Sequence, residues 1–221
     1  GGGMLLAFGI VSALHERTNS GKGQVIDAAM TEGSALLMNA VFGLMNNGSW
    51  TPSRGENFLD GGAHFYNTYE TSDGKWVSVG SIEPQFYTLL LEKSGLVNSD
   101  DLPTQHSRED WPDMQARLRK VFMQRTRDEW DAIMLGTDIC YAPILNFEEA
   151  RNHPHNIERQ SFVSRDGIHQ AAPAPKFSRT QPQLPDASVA PGTDSRELLM
   201  EAGFSTEAID QLIESGAVVQ V

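Results

Sequence analysis

The sequence has 221 residues, of which 39% are hydrophobic and 21% are charged, as in an ordinary globular chain of one or two domains. Its formal net charge of -12 argues against a nucleic-acid-binding protein, since such proteins present a basic face to the phosphates. The longest apolar stretch, residues 4–14, is shorter than the roughly 20 residues that span a bilayer, and no basic residue precedes it as in a signal peptide. We therefore expect binding to neither nucleic acid nor membrane. A single cysteine, Cys140, favours a reducing compartment.

The first part of the chain predicts a helix, a short strand and a second helix. Residues 4–17 are apolar at first and then polar, which is typical of a largely buried helix. Residues 24–26 predict the strand, and Asp27 is placed to cap a helix over residues 28–45. Three methionines recur near one face of this second helix, which indicates core packing or, alternatively, an adaptable apolar binding surface: Met30, Met38 and Met45.

The middle of the chain predicts a β-hairpin followed by helices. Residues 64–71 and 76–79 are rich in aromatic and β-branched side chains, and the Asp-Gly pair between them favours a tight turn. Three helices are then predicted: one from Pro84 to about Ser94, one after Pro112, and one that starts at Thr126, where Thr126 and Glu129 have the spacing of a capping box. Residues 141–145 predict a further strand.

The last part of the chain changes in composition. Residues 167–191 are rich in Pro, Ala, Ser and Gln, which predicts an extended connector. Two short helices follow, over residues 195–202 and 205–214, and each is followed by a glycine that can adopt the left-handed conformation of a helix end.

Glu83 is the first candidate for catalysis. It lies between a predicted strand end at Gly80 and a helix opened by Pro84, and the proline restricts its backbone to extended conformations. A carboxylate held rigidly at such a junction can act as a general base. The other interpretation is an acidic residue favoured only by the helix dipole, and local sequence alone favours that one.

Other motifs are weaker. Asp60-Gly61-Gly62 can bring backbone N–H groups close to a ligand or form a simple turn, and the turn is favoured. Residues 21–23 lack the first glycine and the final Ser or Thr of a phosphate-binding loop. His153 and His155 have no ligand set at a recognised spacing, so no metal is expected.

Several stretches, in order and with matched spacing, resemble the alpha-methylacyl-CoA racemases of the type III CoA-transferase superfamily. They cover nearly the whole chain: residues 20–28, 59–63, 79–87, 110–112, 137–140, 143, 158–159 and 173–175. The resemblance implies an α/β fold with a Rossmann-like large domain, a smaller α+β domain and an interlocked homodimer. In that fold residues 1–58 are the remaining part of the large domain, 59–165 the small domain, and 166–221 a connector and C-terminal helices returning to the large domain.

The resemblance also implies a reaction. A racemase removes the C2 proton of a 2-methylacyl-CoA thioester with one base, forms an enolate, and returns a proton from the opposite face. Glu83 matches the family's glutamate on one face. A His and Asp pair serves the other face in relatives, upstream of the glycines at positions 1–3, so we expect the chain to be the C-terminal two thirds of a racemase and inactive alone.

The substrate-binding residues are likewise implied by the resemblance. Positions matching the family's acyl-binding region are Leu59, Asp60, Gly61, Gly62, Tyr66, Ile82, Met38 and Met45. His64 departs from the pattern, since relatives commonly have proline there. Coenzyme A is part of the substrate, and no metal or redox cofactor is expected. The terminal residues 219–221 form no peroxisomal signal, so a cytoplasmic location is expected.

Two alternatives remain open. A CoA-transferase that works through an aspartyl-CoA thioester would also carry its aspartate upstream, and only Glu83 in place of a glycine-rich loop argues against it. The chain could also be a non-catalytic piece that dimerises and binds acyl groups.

Overall fold

The computed structural model describes residues 2–97, 99, 101–165, 167–184 and 188–221. The elements of this part, in chain order, are α1 (Gly2–Ser20), α2 (Met30–Leu37), α3 (Asn39–Asn46), β1 (Tyr66–Glu70), β2 (Trp76–Gly80), α4 (Pro84–Ser94), a 3₁₀ turn (Arg108–Asp110), α5 (Trp111–Phe122), α6 (Arg127–Met134), β3 (Tyr141–Ile144), α7 (Phe147–Asn152), α8 (Pro154–Glu158), β4 (Phe162–Arg165), β5 (Ile168–Ala171), α9 (Ser195–Glu201) and α10 (Thr206–Glu214). None of the helices in these ranges is long and apolar enough to cross a membrane.

The N-terminal elements differ from the prediction in three ways. The helix predicted over residues 4–17 forms as α1, but none of its residues is buried. Residues 24–26 form no strand, because no strand in the described ranges pairs with them, and Asp27 caps no helix, since Ala29 is the N-cap of α2. The helix predicted over residues 28–45 is divided into α2 and α3 at Met38.

The central sheet has three antiparallel strands in the order β1-β2-β3. The predicted hairpin and the predicted third strand are confirmed, with Tyr66 opposite Gly80 and Val79 opposite Tyr141. Tyr69, Val77 and Val79 are buried, while neighbouring positions on the strands are more exposed. The alternation of side chains therefore gives the sheet one covered face.

Helices α4, α5 and α6 enclose the core against this sheet. The stripe predicted on α5 is confirmed, since Met114, Leu118, Val121 and Phe122 are all buried. The rings of Phe122 and Tyr69 stack with their centroids 5.0 Å apart. Helix ends also match the sequence: Pro84 opens α4, Gly95 ends it at φ 77°, and Thr126 and Glu129 form a reciprocal capping box on α6.

Residues Leu145–Val221 form a compact unit of their own, as do residues Gly1–Ile144. In the second unit β4 and β5 pair as an antiparallel hairpin, so the connector predicted over residues 167–191 is partly wrong. Residues Ile168–Ala171 include few residue types that favour strands, so local sequence did not predict β5. The strand forms because it pairs with Phe162–Arg165. Residues 185–187 of the predicted connector lie outside the described ranges. The two C-terminal helices form as predicted.

Candidate active site

Glu83 lies at the junction that the sequence predicts. It is the N-cap residue of α4, with an extended backbone at φ -74° and ψ 143°, and its side chain is exposed. Its carbonyl oxygen accepts hydrogen bonds from the backbone N–H groups of Phe86 (3.1 Å) and Tyr87 (3.0 Å). The carboxylate is therefore accessible, while the backbone that carries it is fixed by the start of the helix.

The three residues before Glu83 are held from several sides. The Gly80 N–H donates to the carbonyl of Cys140 (2.9 Å), and the buried Ser81 donates its N–H to the carbonyl of Phe65 (2.8 Å). The Ser81 hydroxyl donates to the carbonyl of Ile139. The segment is thus attached to the two residues before β3 and to the residue before β1, so the position of Glu83 follows from the packing around the sheet.

A side-chain amide completes this attachment. The Nε2 group of Gln105 donates to the carbonyl oxygens of Ser81 (2.9 Å) and Ile82 (2.8 Å). The backbone carbonyl of Gln105 in turn accepts from the indole N–H of the buried Trp111 (2.9 Å). Gln105 therefore links the first residue of α5 to the peptide groups immediately before Glu83.

An open depression lies over the strands. It has a volume of about 440 Å³, and we call it the strand depression. Its lining includes three of the predicted substrate-binding residues together with polar and small residues of β1, β2 and the turn before β3: Leu59, Gly61, Tyr66, Asn67, Thr68, Ser78, Val79, Gly80 and Cys140. Leu59 and Tyr66 are 41% and 38% exposed, so each offers apolar surface to a ligand.

Asp60 and Gly62 have a different place from Leu59 and Gly61. The two carboxylate oxygens of Asp60 accept hydrogen bonds from the backbone N–H groups of Gly55, Asn57 and Gly62, and from the Asn57 side chain at 2.8 Å. Desolvation of the Asp60 carboxylate opposes ionisation, but these hydrogen bonds, led by that of the Asn57 side chain, outweigh it and lower the pKa of Asp60. The hydrogen bonds of the Asp60 carboxylate therefore hold its own loop together, and this loop forms an edge of the strand depression through Leu59 and Gly61.

The side chain of Asn57 holds together residues 51–62, which we call the 51–62 loop. It is fully buried, and its side-chain amide donates to the carbonyls of Thr51 and Ser53 (both 3.1 Å) while its oxygen accepts from the Thr51 N–H (2.8 Å). The sequence analysis missed Asn57. The sequence did contain a signal for it, because asparagine side chains in turns commonly form hydrogen bonds with nearby backbone groups, and Asn57 lies three residues before the Asp60-Gly61-Gly62 turn.

Cys140 is a lining residue of the strand depression and directly precedes β3. It has φ 60°, a left-handed conformation that is uncommon for a residue other than glycine, and it is exposed. Partial burial raises the pKa of the Cys140 thiol, and the negative charges of Glu83 and Asp138 raise it further. Gly80, three residues before Glu83, lines the depression together with Cys140, so the junction that carries Glu83 begins at the depression.

His64 is fully buried in an aromatic cluster. Its ring lies edge-on to the rings of Phe65 and Tyr87, with centroids 5.2 Å and 5.3 Å away, and its carbonyl accepts from the Tyr69 hydroxyl at 2.6 Å. Burial, aided by the charge of His106, lowers the pKa of His64 to about 4. The residue that departs from the family pattern is therefore an uncharged core residue.

The remaining predicted residues are not brought to the strand depression. Ile82 is half-buried against the hydrophobic core beside Glu83. Met38 lies at the junction of α2 with α3 and is 45% exposed, and Met45 lies within α3 and is 40% exposed. Their exposure agrees with a binding surface better than with core packing. In the part of the chain that the structure describes, no three His, Cys, Asp or Glu residues are grouped so as to hold a metal ion.

Comparison with known proteins identifies the family. Residues 1–195 match the model of CoA-transferase family III. The chain is 50% identical over 216 residues to alpha-methylacyl-CoA racemase of Mus musculus, an alignment that covers 96% of this chain and 56% of the relative. It is 46% identical over 226 residues to alpha-methylacyl-CoA racemase of Homo sapiens, covering 99% of this chain and 59% of the relative. The chain thus spans a little over half the length of these relatives.

The fold is also found in a solved structure. A crystal structure of a CAIB/BAIF family protein from Brucella suis superposes with a TM-score of 0.72 at 19% identity, covering 90% of this chain and 53% of that one. At that identity the likeness shows the fold alone. Since the family model covers residues 1–195 of 221, the chain belongs to CoA-transferase family III.

Proposed function

We propose that this chain takes part in the racemisation of 2-methylacyl-CoA thioesters, with Glu83 as the general base on one face of C2. The observation that carries the proposal is the placement of Glu83, an exposed carboxylate on a fixed backbone, three residues after Gly80 of the strand depression. The identity of 46% to 50% with two racemases supports the substrate class. A base needs access to the substrate and a defined position, and Glu83 has both.

The reaction involves proton transfer and no change of oxidation state. The Glu83 carboxylate takes the proton from C2, and the electron pair of the broken C–H bond forms the C1–C2 double bond of an enolate. An acid on the opposite face then returns a proton to C2, which gives the other epimer. The His and Asp pair implied by the family resemblance is our candidate for that acid. The reaction requires no metal or redox cofactor, because the thioester itself stabilises the carbanion as an enolate.

The strand depression is the proposed place for part of the acyl group. Leu59 and Tyr66 provide its exposed apolar surface, and Gly61 leaves room at its edge. In this proposal Ile82 contacts the substrate next to Glu83 and outside the strand depression, and Asp60 and Gly62 hold the 51–62 loop in the shape that binding needs. Met38 and Met45 supply a separate adaptable surface for a long acyl chain.

A deuterium experiment tests the proposal. A 2-methylacyl-CoA of one configuration is incubated in D₂O with the longest product that the gene encodes and, in parallel, with residues 1–221. We expect deuterium at C2 together with epimerisation for the active form, and a fall of about 100-fold or more for Glu83→Gln, since general-base catalysis contributes about 10²–10⁴. Glu92→Gln on the same helix, another exposed carboxylate, is the matched control and keeps the full rate.

The second candidate is transfer of CoA between acids, which the family description favours. The same incubation distinguishes it when a free carboxylic acid is added. Transfer of CoA to that acid without deuterium at C2 would replace racemisation as the function, and Glu83 would then be a helix N-cap without a catalytic role.

The assembly and location of the protein are proposals of the same kind. We propose an interlocked homodimer, which is supported by the large exposed apolar side chains of α1, among them Met4, Phe8 and Val11. We also propose a cytoplasmic location, which the single cysteine supports. Sedimentation of the full product tests the dimer, and a monomer at micromolar concentration would exclude it.

A further inference from the structure

Gln105 contacts the peptide groups immediately before Glu83 and lies outside every motif that the sequence analysis connected with catalysis. Its side-chain amide donates to two successive carbonyl oxygens, those of Ser81 (2.9 Å) and Ile82 (2.8 Å). Gln105 is half-buried, which strengthens hydrogen bonds that water would otherwise compete for. A donor shared by consecutive carbonyls restrains both the position and the orientation of the peptide between them.

Gln105 connects the backbone before Glu83 to a buried residue of the core, Trp111. The carbonyl of Gln105 accepts from the indole N–H of Trp111, which is 3% exposed and packs against Phe65 with ring centroids 5.9 Å apart. Phe65 in turn accepts the Ser81 N–H through its carbonyl. The chain of contacts from Trp111 through Gln105 to Ile82 is therefore anchored at both ends.

We propose that Gln105 is a positioning residue for the reaction: its amide fixes the Ser81–Ile82 backbone and so holds the Glu83 carboxylate at the strand depression. The inference rests on the proposed role of Glu83. It predicts that loss of the amide leaves substrate binding nearly intact and slows proton transfer, because a displacement of about 1 Å at a reacting group can cost about 100-fold in rate.

The first readout is steady-state kinetics, which shows whether a substitution changes kcat, KM or both. In Gln105→Met, which keeps the length of the side chain and removes its donors, we expect kcat for C2 exchange to fall about 10- to 100-fold with KM within about twofold of the unchanged protein. Gln105→His, measured at pH 8 with a neutral ring that keeps one N–H donor, should recover part of kcat. Gln124→Met is the matched control, since Gln124 is exposed just after α5, and it keeps the original kcat.

The second readout is independent of activity. Cys140 is the single cysteine of the sequence, and the Glu83 charge helps to raise its pKa, together with burial and Asp138. The rate of alkylation of Cys140 by iodoacetamide, followed against pH by mass spectrometry, reports that pKa. We expect Glu83→Gln to lower the pKa of Cys140, and Gln105→Met to lower it in the same direction because Glu83 moves away from the thiol.

The outcomes separate the two proposals. An absence of C2 exchange in the unchanged full product refutes the proposed function, and the Cys140 titration then still tests the position of Glu83. The positioning role is overturned if Gln105→Met keeps the original kcat, or if it leaves the Cys140 titration where it was while Glu83→Gln shifts it. A fall in kcat with an unshifted titration also overturns it, because the loss would then not arise from displacement of Glu83.

Discussion

The Nε2 atom of His64 lies 2.8 Å from the hydroxyl of Tyr87, and both side chains are buried in the same aromatic cluster. The Nδ1 atom of His64 is buried and has no hydrogen-bond partner among the described residues. Burial raises the pKa of Tyr87 to about 12, so this hydroxyl stays protonated at neutral pH. The pair is therefore a neutral hydrogen bond in the core, and protonation of the ring is unfavourable there.

The first prediction concerns the acid side of the stability curve. His64 has a folded pKa of about 4 against an ordinary histidine pKa of 6.5, so below pH 6.5 the unfolded chain binds a proton that the folded chain does not. This contribution to stability is complete above pH 6.5 and is lost as the pH falls toward 4, by up to about 3 kcal/mol. Urea unfolding at pH 7.5 and pH 4.5 measures it.

His64→Phe keeps an aromatic side chain at this position and removes the titration. We expect a smaller loss of unfolding free energy between the two pH values than in the unchanged protein. His155→Gln, which replaces an exposed histidine, is the matched control. Equal slopes for His64→Phe and the unchanged protein would contradict the assignment of this loss to His64.

The second prediction concerns the buried amide of the 51–62 loop. Asn57→Ala leaves the carbonyls of Thr51 and Ser53 without their side-chain donor and removes one of the two donors to the Oδ2 atom of Asp60. Buried groups that lose a partner cost about 1–3 kcal/mol each where water cannot replace it. We expect a loss of about 2–4 kcal/mol in unfolding free energy by urea titration. Ser53→Ala retains the carbonyl that Asn57 uses, and a comparable loss there would argue against the network.

The third prediction concerns Gly62. A Cβ at this position would lie 2.6 Å from the carbonyl oxygen of Asn57 and 2.6 Å from the carbonyl carbon of Glu56, contacts that require the backbone to move. Gly62→Ala should therefore displace the 51–62 loop and raise KM for the acyl-CoA by about 10-fold or more, the size of a lost interaction of about 1.4 kcal/mol.

Gly43→Ala is the matched control for Gly62→Ala. Gly43 lies within α3, and a Cβ there meets nothing within 4 Å. Alanine is favoured over glycine inside a helix by about 0.5–1 kcal/mol, so this variant should be neutral or slightly more stable. An unchanged KM in Gly62→Ala would show that the loop tolerates displacement without affecting the substrate.

The fourth prediction concerns Gln115, whose amide donates to the carbonyls of Gly61 (2.9 Å) and Gly62 (2.6 Å). It holds the loop edge of the strand depression, whereas Gln105 holds the peptide before Glu83. Gln115→Met should raise KM several-fold with little change in kcat, because it weakens binding of the ground state and of the transition state equally. Steady-state kinetics measures both parameters, and a fall in kcat alone would show that Gln115 acts on proton transfer.

Much of the strand and helix pattern was predictable because it depends on local signals. The Asp-Gly turn between β1 and β2, Pro84 at the start of α4 and the capping box of Thr126 each fix an element through neighbouring residues. The strand expected over residues 24–26 failed for the opposite reason. A strand requires a partner elsewhere in the chain, and local sequence cannot supply that information.

The candidate site divides in the same way. Glu83, Leu59 and Gly61 could be proposed because they belong to short, ordered stretches that match a family, and Tyr66 because it matches a position of the family's acyl-binding region. Gln105 could not, since its role depends on contacts with Ser81 and Ile82, which lie 24 and 23 positions earlier in the chain. A glutamine in an irregular segment carries no local signal for such contacts.

The 51–62 loop and the Glu83 junction are held by different parts of the molecule. The Asn57 and Asp60 network is closed within the loop itself, whereas Gly80 and Ser81 are bonded to the sheet and its neighbours. Substitutions at Leu59 can therefore reshape the depression without moving the carboxylate. Under the proposed function, a change of acyl preference through the loop therefore requires no change in the geometry of proton transfer.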